Sequence, residues 1–261
     1  MSTQQAPVGV FDSGMGGLSV LRVLRHHLKH ESWVYFADNA HAPYGEKTQD
    51  EITDRALSIT QQLRQQHGIK ALVVACNTAT AAAIATLREQ HPDLPIVGIE
   101  PGIKPALALS RTRRIGVMAT RRTVDSEKFQ RLLASAQVQA QFVVQPCDGL
   151  ALAIETQDHK KIEALISLYT SAMGTFGTKT GAMDTLVLGC THYPLAAHQL
   201  HRSVGPHVTL VDPAQGVTRQ LERLLMQSER MATGQGIGGI TACGTANLAE
   251  LQVAMDRWCP V

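Results

Sequence analysis

The sequence predicts an α/β fold of mostly parallel sheets arranged as two related halves. Short β-branched runs alternate with longer amphipathic stretches along the whole chain, which is the rhythm of strands joined by crossover helices. The runs are apolar with little polar alternation, as in strands covered on both faces. Two distant segments, "LVVACNTATAAAI" (72 to 84) and "TLVLGCTHYPL" (185 to 195), end alike, each apolar run closing on a cysteine beside hydrogen-bonding side chains.

Taken in order, the strand candidates are "VGVFDS" (8–13), "WVYFAD" (33–38), "ALVVAC" (71–76), "IVGIE" (96–100), "RIGVMAT" (114–120), "QFVVQP" (141–146), "TLVLGC" (185–190), "VTLVDP" (208–213) and "GITACG" (239–244). The stretches between them, such as 48–67 and 123–136, are long enough for crossover helices. The Pro- and Gly-bearing "GIEPGIKPA" (98–106) and the "VDPAQG" turn (211–216) mark crossings between two sheet halves. The expected division is therefore 1–99 plus 209–261 for one domain and 100–208 for the other.

Composition limits the function. At 261 residues, 44% hydrophobic and 18% charged, the chain can bury one large core or two small ones. Its formal charge is +2, and it lacks basic runs interleaved with aromatics, so neither nucleic acid nor an anionic membrane is an expected partner. The opening "MSTQQAPVGV" has no basic region leading into an apolar one, and no stretch approaches about 18 apolar residues. A cytoplasmic location is expected. The five cysteines at 76, 147, 190, 243 and 259 are odd in number and match no zinc spacing, so reduced thiols are expected.

Ligands of parallel α/β sheets bind at the carboxyl ends of strands, so the strand ends are where chemistry is sought. Asp12 and Ser13 close the first candidate and precede glycines that allow a tight turn into a helix start. Either side chain could instead simply cap that helix. "ADNAHAPYGEKT" (37–48) is a loop holding Tyr44 and Gly45. "CNTAT" places Cys76 beside Asn77 and Thr78, and "CTHYP" places Cys190 beside Thr191 and His192. A lone cysteine there would ordinarily be a small buried hydrophobe. Two in matching positions suit proton transfer at a carbon centre, one thiolate removing a proton from one face while a thiol delivers one to the other.

In this order "VFDSGMGGLSVL", "APYGEKT", "VVACNTATA", "GIEPGIKPA", "ATRRTVDSEKF", "LVLGCTHYPL" and "LVDPA" resemble the glutamate racemases of the aspartate/glutamate racemase superfamily over nearly the whole chain. The resemblance implies two flavodoxin-like domains related by a pseudo-twofold axis, with the active site at their interface. It further implies cofactor-independent interconversion of L- and D-glutamate, supplying D-glutamate to peptidoglycan synthesis, and a homodimer. Carried over by residue, Cys76 is the base for D-glutamate and Cys190 the base for L-glutamate. Asp12 and His192 assist the two thiols, with Glu155 behind the histidine although "CDGLALAIETQ" departs from the family's usual Pro- and Leu-rich pattern there. Asp12, Ser13, Tyr44, Gly45, Asn77, Thr78, Thr191 and His192 hold the substrate's charged groups, joined by Thr120 and Thr123 from a hydroxyl-bearing segment. No metal and no cofactor are expected.

Other signals carry less. "GQGIGG" (234–239) satisfies GxGxxG but precedes its strand, leaving only 22 residues after it, and reads as a loop. Cys190 and His192 could begin a metal site, yet no second Cys/His pair stands at zinc spacing. His26, His27 and His30 fit a solvated helix face, and "RTRR" (111–114) with Arg121 and Arg122 fits exposed decoration. Two rival classes remain open from the residues alone: a cysteine-nucleophile hydrolase with His192 as base, and a non-catalytic amino-acid-binding module. Within the racemase class, aspartate is the alternative substrate.

Overall fold

In the computed structural model, residues 3–234 and 236–260 are described. The chain divides into two compact units, the first comprising residues up to Ile99 together with those from Ala214 onward, the second Glu100–Pro213.

The first unit opens with β1 (Val8–Asp12), α1 (Leu18–His27), β2 (Trp33–Ala37), α2 (Gln49–His67), β3 (Ala71–Val74), α3 (Asn77–Gln90) and β4 (Ile96–Gly98). Local chemistry sets the ends of α2: Thr48 and Glu51 form a reciprocal capping box, and Gly68 leaves the helix in the left-handed region at φ 58°. The second unit runs α4 (Ile103–Leu109), β5 (Arg114–Ala119), α5 (Arg121–Asp125), α6 (Glu127–Gln137), β6 (Gln141–Pro146), α7 (Leu150–Glu155), α8 (His159–Met173), β7 (Thr185–Gly189), α9 (Ala197–Val204) and β8 (Thr209–Val211). The chain then returns to the first unit with α10 (Ala214–Gln227), β9 (Ile240–Gly244) and α11 (Leu248–Trp258). All nine expected strands form.

Both sheets are wholly parallel. Their orders are β4-β3-β1-β2-β9 and β6-β5-β7-β8. Counted from its own first strand, each contains the flavodoxin-like order 2-1-3-4, with β9 added at one edge of the first. Each sheet is covered on both faces, as parallel sheets require. In the first unit α1, α10 and α11 pack on one face and α2 and α3 on the other. In the second, α7, α8 and α9 lie on one face and α4 and α6 on the other.

One expectation needs correction and another refinement. Residues 209–213 belong to the second unit, because Thr209–Val211 pairs with Thr185–Val187 of β7. The stretch 123–136, expected only to be long enough for a crossover helix, is divided between two helices, because Ser126 ends α5 in an extended conformation and caps α6, its hydroxyl accepting the Phe129 N–H at 3.2 Å. Of the histidines placed on one helix face, His26 and His27 are exposed in the last turn of α1, while His30 lies beyond its end. Within the "GQGIGG" stretch Gln235 lies outside the described residues, and the others precede β9 without helix or strand. Among the described residues no helix is long and apolar enough to cross a membrane. All five cysteines are free.

Candidate active site

Strand alternation places the two thiols. Leu72, Val74 and Cys76 point to the α2/α3 face of the first sheet, and Leu186, Leu188 and Cys190 to the α8/α9 face of the second. In each unit the cysteine is thus the last residue of an alternate-facing set, just past the third strand of the 2-1-3-4 order. The carboxyl ends of the first and third strands flank the topological switch point, where open parallel sheets bind ligands. Asp12 and Ser13 close β1 in the first unit, and Thr120 closes β5 in the second.

In the first unit the buried Asp12 carboxylate accepts the Ser13 N–H at 2.8 Å with one oxygen and the Gly17 N–H at 2.5 Å with the other. The turn from Ser13 to Gly17 is wrapped around this carboxylate, and the Tyr35 hydroxyl holds it again by donating to the Gly14 carbonyl at 2.8 Å. Glycine is required at 17, where a Cβ would lie 2.7 Å from that of Asp12 and 2.9 Å from the Tyr35 hydroxyl. Asp12 therefore anchors the turn before α1, whose N-cap is Gly17.

Cys76 is the N-cap of α3, its sulfur accepting the Ala79 N–H at 3.5 Å. The same sulfur lies 3.8 Å from Ser13 Oγ, to which its thiol donates. Negative charge on Sγ would thus sit at the positive end of a 14-residue helix beside a hydroxyl. Asn77 and Thr78 begin that helix and are buried. Both polar atoms of the Asn77 amide are buried without a hydrogen-bond partner. An unmet buried amide costs about 1–3 kcal/mol, which a polar ligand would recover.

Tyr44 is buried, and its hydroxyl donates to Asp38 Oδ2 at 2.6 Å. Asp38, also buried, takes a two-pronged contact from Arg55, with Nε on Oδ2 at 3.0 Å and Nη2 on Oδ1 at 2.8 Å, and a third partner in His41 Nδ1 at 2.9 Å. Burial alone would raise the Asp38 carboxyl, but the bonds from Arg55, Tyr44 and His41 outweigh it and hold it below the usual carboxylate range. The Tyr44 phenol is driven far above its ordinary value by burial and by Asp38, and stays protonated as a donor. The Tyr44 and Gly45 turn is therefore fixed by an anion that carries Arg55 as counterion. Sequence reasoning missed this arrangement. Asp38 closes a strand candidate and was visible in principle, whereas Arg55 lies 17 residues away on another element.

The second unit gathers a different set. Cys190 Sγ lies 3.7 Å from His192 Nδ1, and His192 Nε2 bonds to Oε2 of Glu155, the last residue of α7. Burial favours the neutral imidazole, but Glu155 and the Cys190 sulfur overcome it and hold the ring well above the ordinary histidine range. Thr191 is buried between Cys190 and His192. Thr120 is the N-cap of α5, its Oγ1 accepting the Thr123 N–H at 3.3 Å and pairing with Thr123 Oγ1 at 2.9 Å. Cys147, closing β6, is a further buried thiol, raised by burial and by the nearby Cys190.

The first unit thus brings together Asp12, Ser13, Cys76, Asn77 and Thr78, with Tyr44 in the same apolar cluster as Cys76. The second joins Cys190, His192 and Glu155 in one line and Thr120 with Thr123. Among the described residues no group of three or more His, Cys, Asp or Glu side chains is arranged to hold a metal ion.

A family model described as Asp/Glu/hydantoin racemase matches residues 15–221, a span that includes both strand-end thiols. The chain belongs to this family. Among its racemase relatives, the glutamate racemase of Ectopseudomonas mendocina is 49% identical over 235 residues, covering 89% of this chain and 87% of that protein. The crystal structure of Escherichia coli glutamate racemase in complex with L-glutamate and the activator UDP-MurNAc-ala is similar at a TM-score of 0.81 and 29% identity, covering 97% of this chain and 95% of that one. The glutamate racemase of Francisella tularensis in complex with D-glutamate is similar at a TM-score of 0.82 and 25% identity, covering 99% and 95%.

Proposed function

We propose that this racemase-family member interconverts L- and D-glutamate by two-base proton transfer, with no cofactor. The observation that carries the reading is the pair of buried thiols at the same topological place in two parallel units, each with its own polar support. A relative 49% identical bears the glutamate racemase name, and related structures hold one enantiomer or the other. The Cys190 thiolate removes the α-proton of L-glutamate, leaving a carbanion whose charge spreads into the α-carboxylate. The Cys76 thiol then gives its proton to the opposite face. D-glutamate leaves with Cys190 protonated and Cys76 as thiolate, a state that can take up D-glutamate for the reverse reaction, and exchange of both thiols with solvent protons restores the starting state for the next L-glutamate.

In this reading His192, kept protonated by Glu155, supports the Cys190 thiolate, and the α3 N-terminus with Ser13 supports that of Cys76. Asp12 shapes the turn that presents Ser13. Asn77 supplies both a donor and an acceptor to the substrate, beside Thr78 and the Tyr44–Gly45 turn, and Thr120, Thr123 and Thr191 contribute hydroxyls from the second unit. D-glutamate made in the cytoplasm, where free thiols persist, would serve peptidoglycan synthesis.

Circular dichroism tests the activity. The signal of L-glutamate should decay to zero without added metal or pyridoxal phosphate, and in D₂O the product should carry deuterium at Cα. Faster decay with L-aspartate would overturn the substrate. Loss of activity on dialysis against chelator, restored by zinc or pyridoxal phosphate, would overturn the mechanism.

A further inference from the structure

The C-terminal segment reaches the turn that carries Tyr44 and Gly45. Strand β9 pairs with β2 in register from Trp33 with Ile240 to Ala37 with Gly244. The ladder continues one rung further, the Thr245 N–H donating to the Ala37 carbonyl at 3.1 Å, immediately before Asp38. Approach this close requires glycine at 244, where a Cβ would lie 2.5 Å from the Ala37 carbonyl oxygen. Thr245 Oγ1 then accepts the Ala40 N–H at 3.0 Å. Ala40 lies within the 3-10 turn Asn39–His41 that leads into Tyr44–Glu46.

Asp38 grips this turn from the buried side, through Tyr44 and His41. Thr245 grips it from the exposed side. The chain reverses directly afterwards at Asn247, in the left-handed region at φ 52° that Asn tolerates. It then enters α11, whose Leu251, Ala254 and Met255 are buried in the first unit's core. The Thr245 hydroxyl is therefore held by a packed helix on one side and a sheet ladder on the other.

We propose that Thr245 is a positioning residue for glutamate binding, holding the Asn39–His41 turn so that Tyr44 and Gly45 meet the substrate already ordered. The inference rests on the glutamate reading of the site. A turn loosened by loss of this bond must be ordered on binding, which weakens substrate and transition state alike and so raises KM rather than lowering kcat.

The test compares Thr245→Val, which keeps the β-branched shape but removes the acceptor, with Thr245→Ser, which keeps the hydroxyl. In the valine variant the Ala40 amide should exchange with solvent about three- to tenfold faster, and KM for L- and D-glutamate should rise by about the same factor, the range of one ordinary hydrogen bond. Its kcat should stay near that of the wild type, and the serine variant should restore both readouts. Unchanged Ala40 exchange, an unchanged KM, or a fall in kcat at constant KM would overturn the proposal. A wild-type protein inactive on glutamate would overturn the substrate assignment instead, because amide exchange reads the Thr245 contact without turnover.

Discussion

The surroundings of Cys76 and Cys190 differ although the two thiols occupy the same slot in their sheets. Cys76 is served mainly by groups that do not titrate near neutrality: the backbone N–H of Ala79, the dipole of a 14-residue helix and the Ser13 hydroxyl. Cys190 is served by a titrating line, His192 and then Glu155, and is followed by the short 3-10 turn Tyr193–Ala196 rather than a long helix. One parallel-sheet position can thus be served by two routes, fixed dipoles in one unit and a histidine–carboxylate pair in the other. Only the second route carries its own pH dependence.

Substitution of the thiols gives the largest expected effect. Cys76→Ser and Cys190→Ser should each lower racemisation by at least about 10²–10⁴-fold, the usual worth of a positioned acid or base. Enantiomers have an equilibrium constant of one, so kcat/KM must stay equal in the two directions whatever is mutated, and racemisation itself cannot reveal which thiol serves which enantiomer. A glutamate analogue that eliminates a β-leaving group needs only proton abstraction. Cys76→Ser should retain elimination from the L-form and Cys190→Ser from the D-form. Equal processing of both forms by both variants would erase the distinction between the halves.

Glu155→Gln comes next. Removing the charged partner of His192 should slow L-form elimination by about 10–150-fold, from the 1.5–3 kcal/mol of a hydrogen bond to a charged group, with D-form elimination little changed. The pH dependence has a definite sign. Because Glu155 raises His192, the imidazolium and the stability it confers are complete below the ordinary histidine value near 6.5 and are lost only as pH rises through the higher folded value. L-form elimination by the wild type should therefore fall only above the ordinary histidine range, and the Gln variant should lose it at lower pH. A fall of equal size and pH in both enantiomers would show that the pair supports the whole protein rather than one thiol.

Smaller effects separate the two turns that flank the thiols. Gly17→Ala forces a Cβ to 2.7 Å from that of Asp12, so it should cost about 1–3 kcal/mol in thermal or urea unfolding and slow D-form elimination more than L-form. Thr120→Ala removes the α5 cap, should cost about 1 kcal/mol in the same measurement, and should bear mainly on the L-form. A reversed ordering would mean that the turns do not serve the thiol of their own unit.

Much of this arrangement was legible in the chain. All nine strands followed from apolar runs, and both thiols from their place at the ends of such runs, because strand signals and helix caps act over a few neighbouring residues. Glu155 was reached only through the resemblance, and its contact with His192 spans 37 residues.

By itself, then, the sequence determined the α/β class, the existence and order of the strands and the place of two cysteines one or two residues past strand ends, since each is set by local pattern. Tertiary structure decided what sequence distance conceals. Thr209–Val211 joined the second sheet because the open edge of β7 was available to it, which no local pattern encodes. Arg55 found Asp38 across 17 residues and Thr245 found Ala40 across 205. Such partners are chosen by which elements the topology lays side by side, and a hydrogen bond between them leaves no periodic trace in either segment.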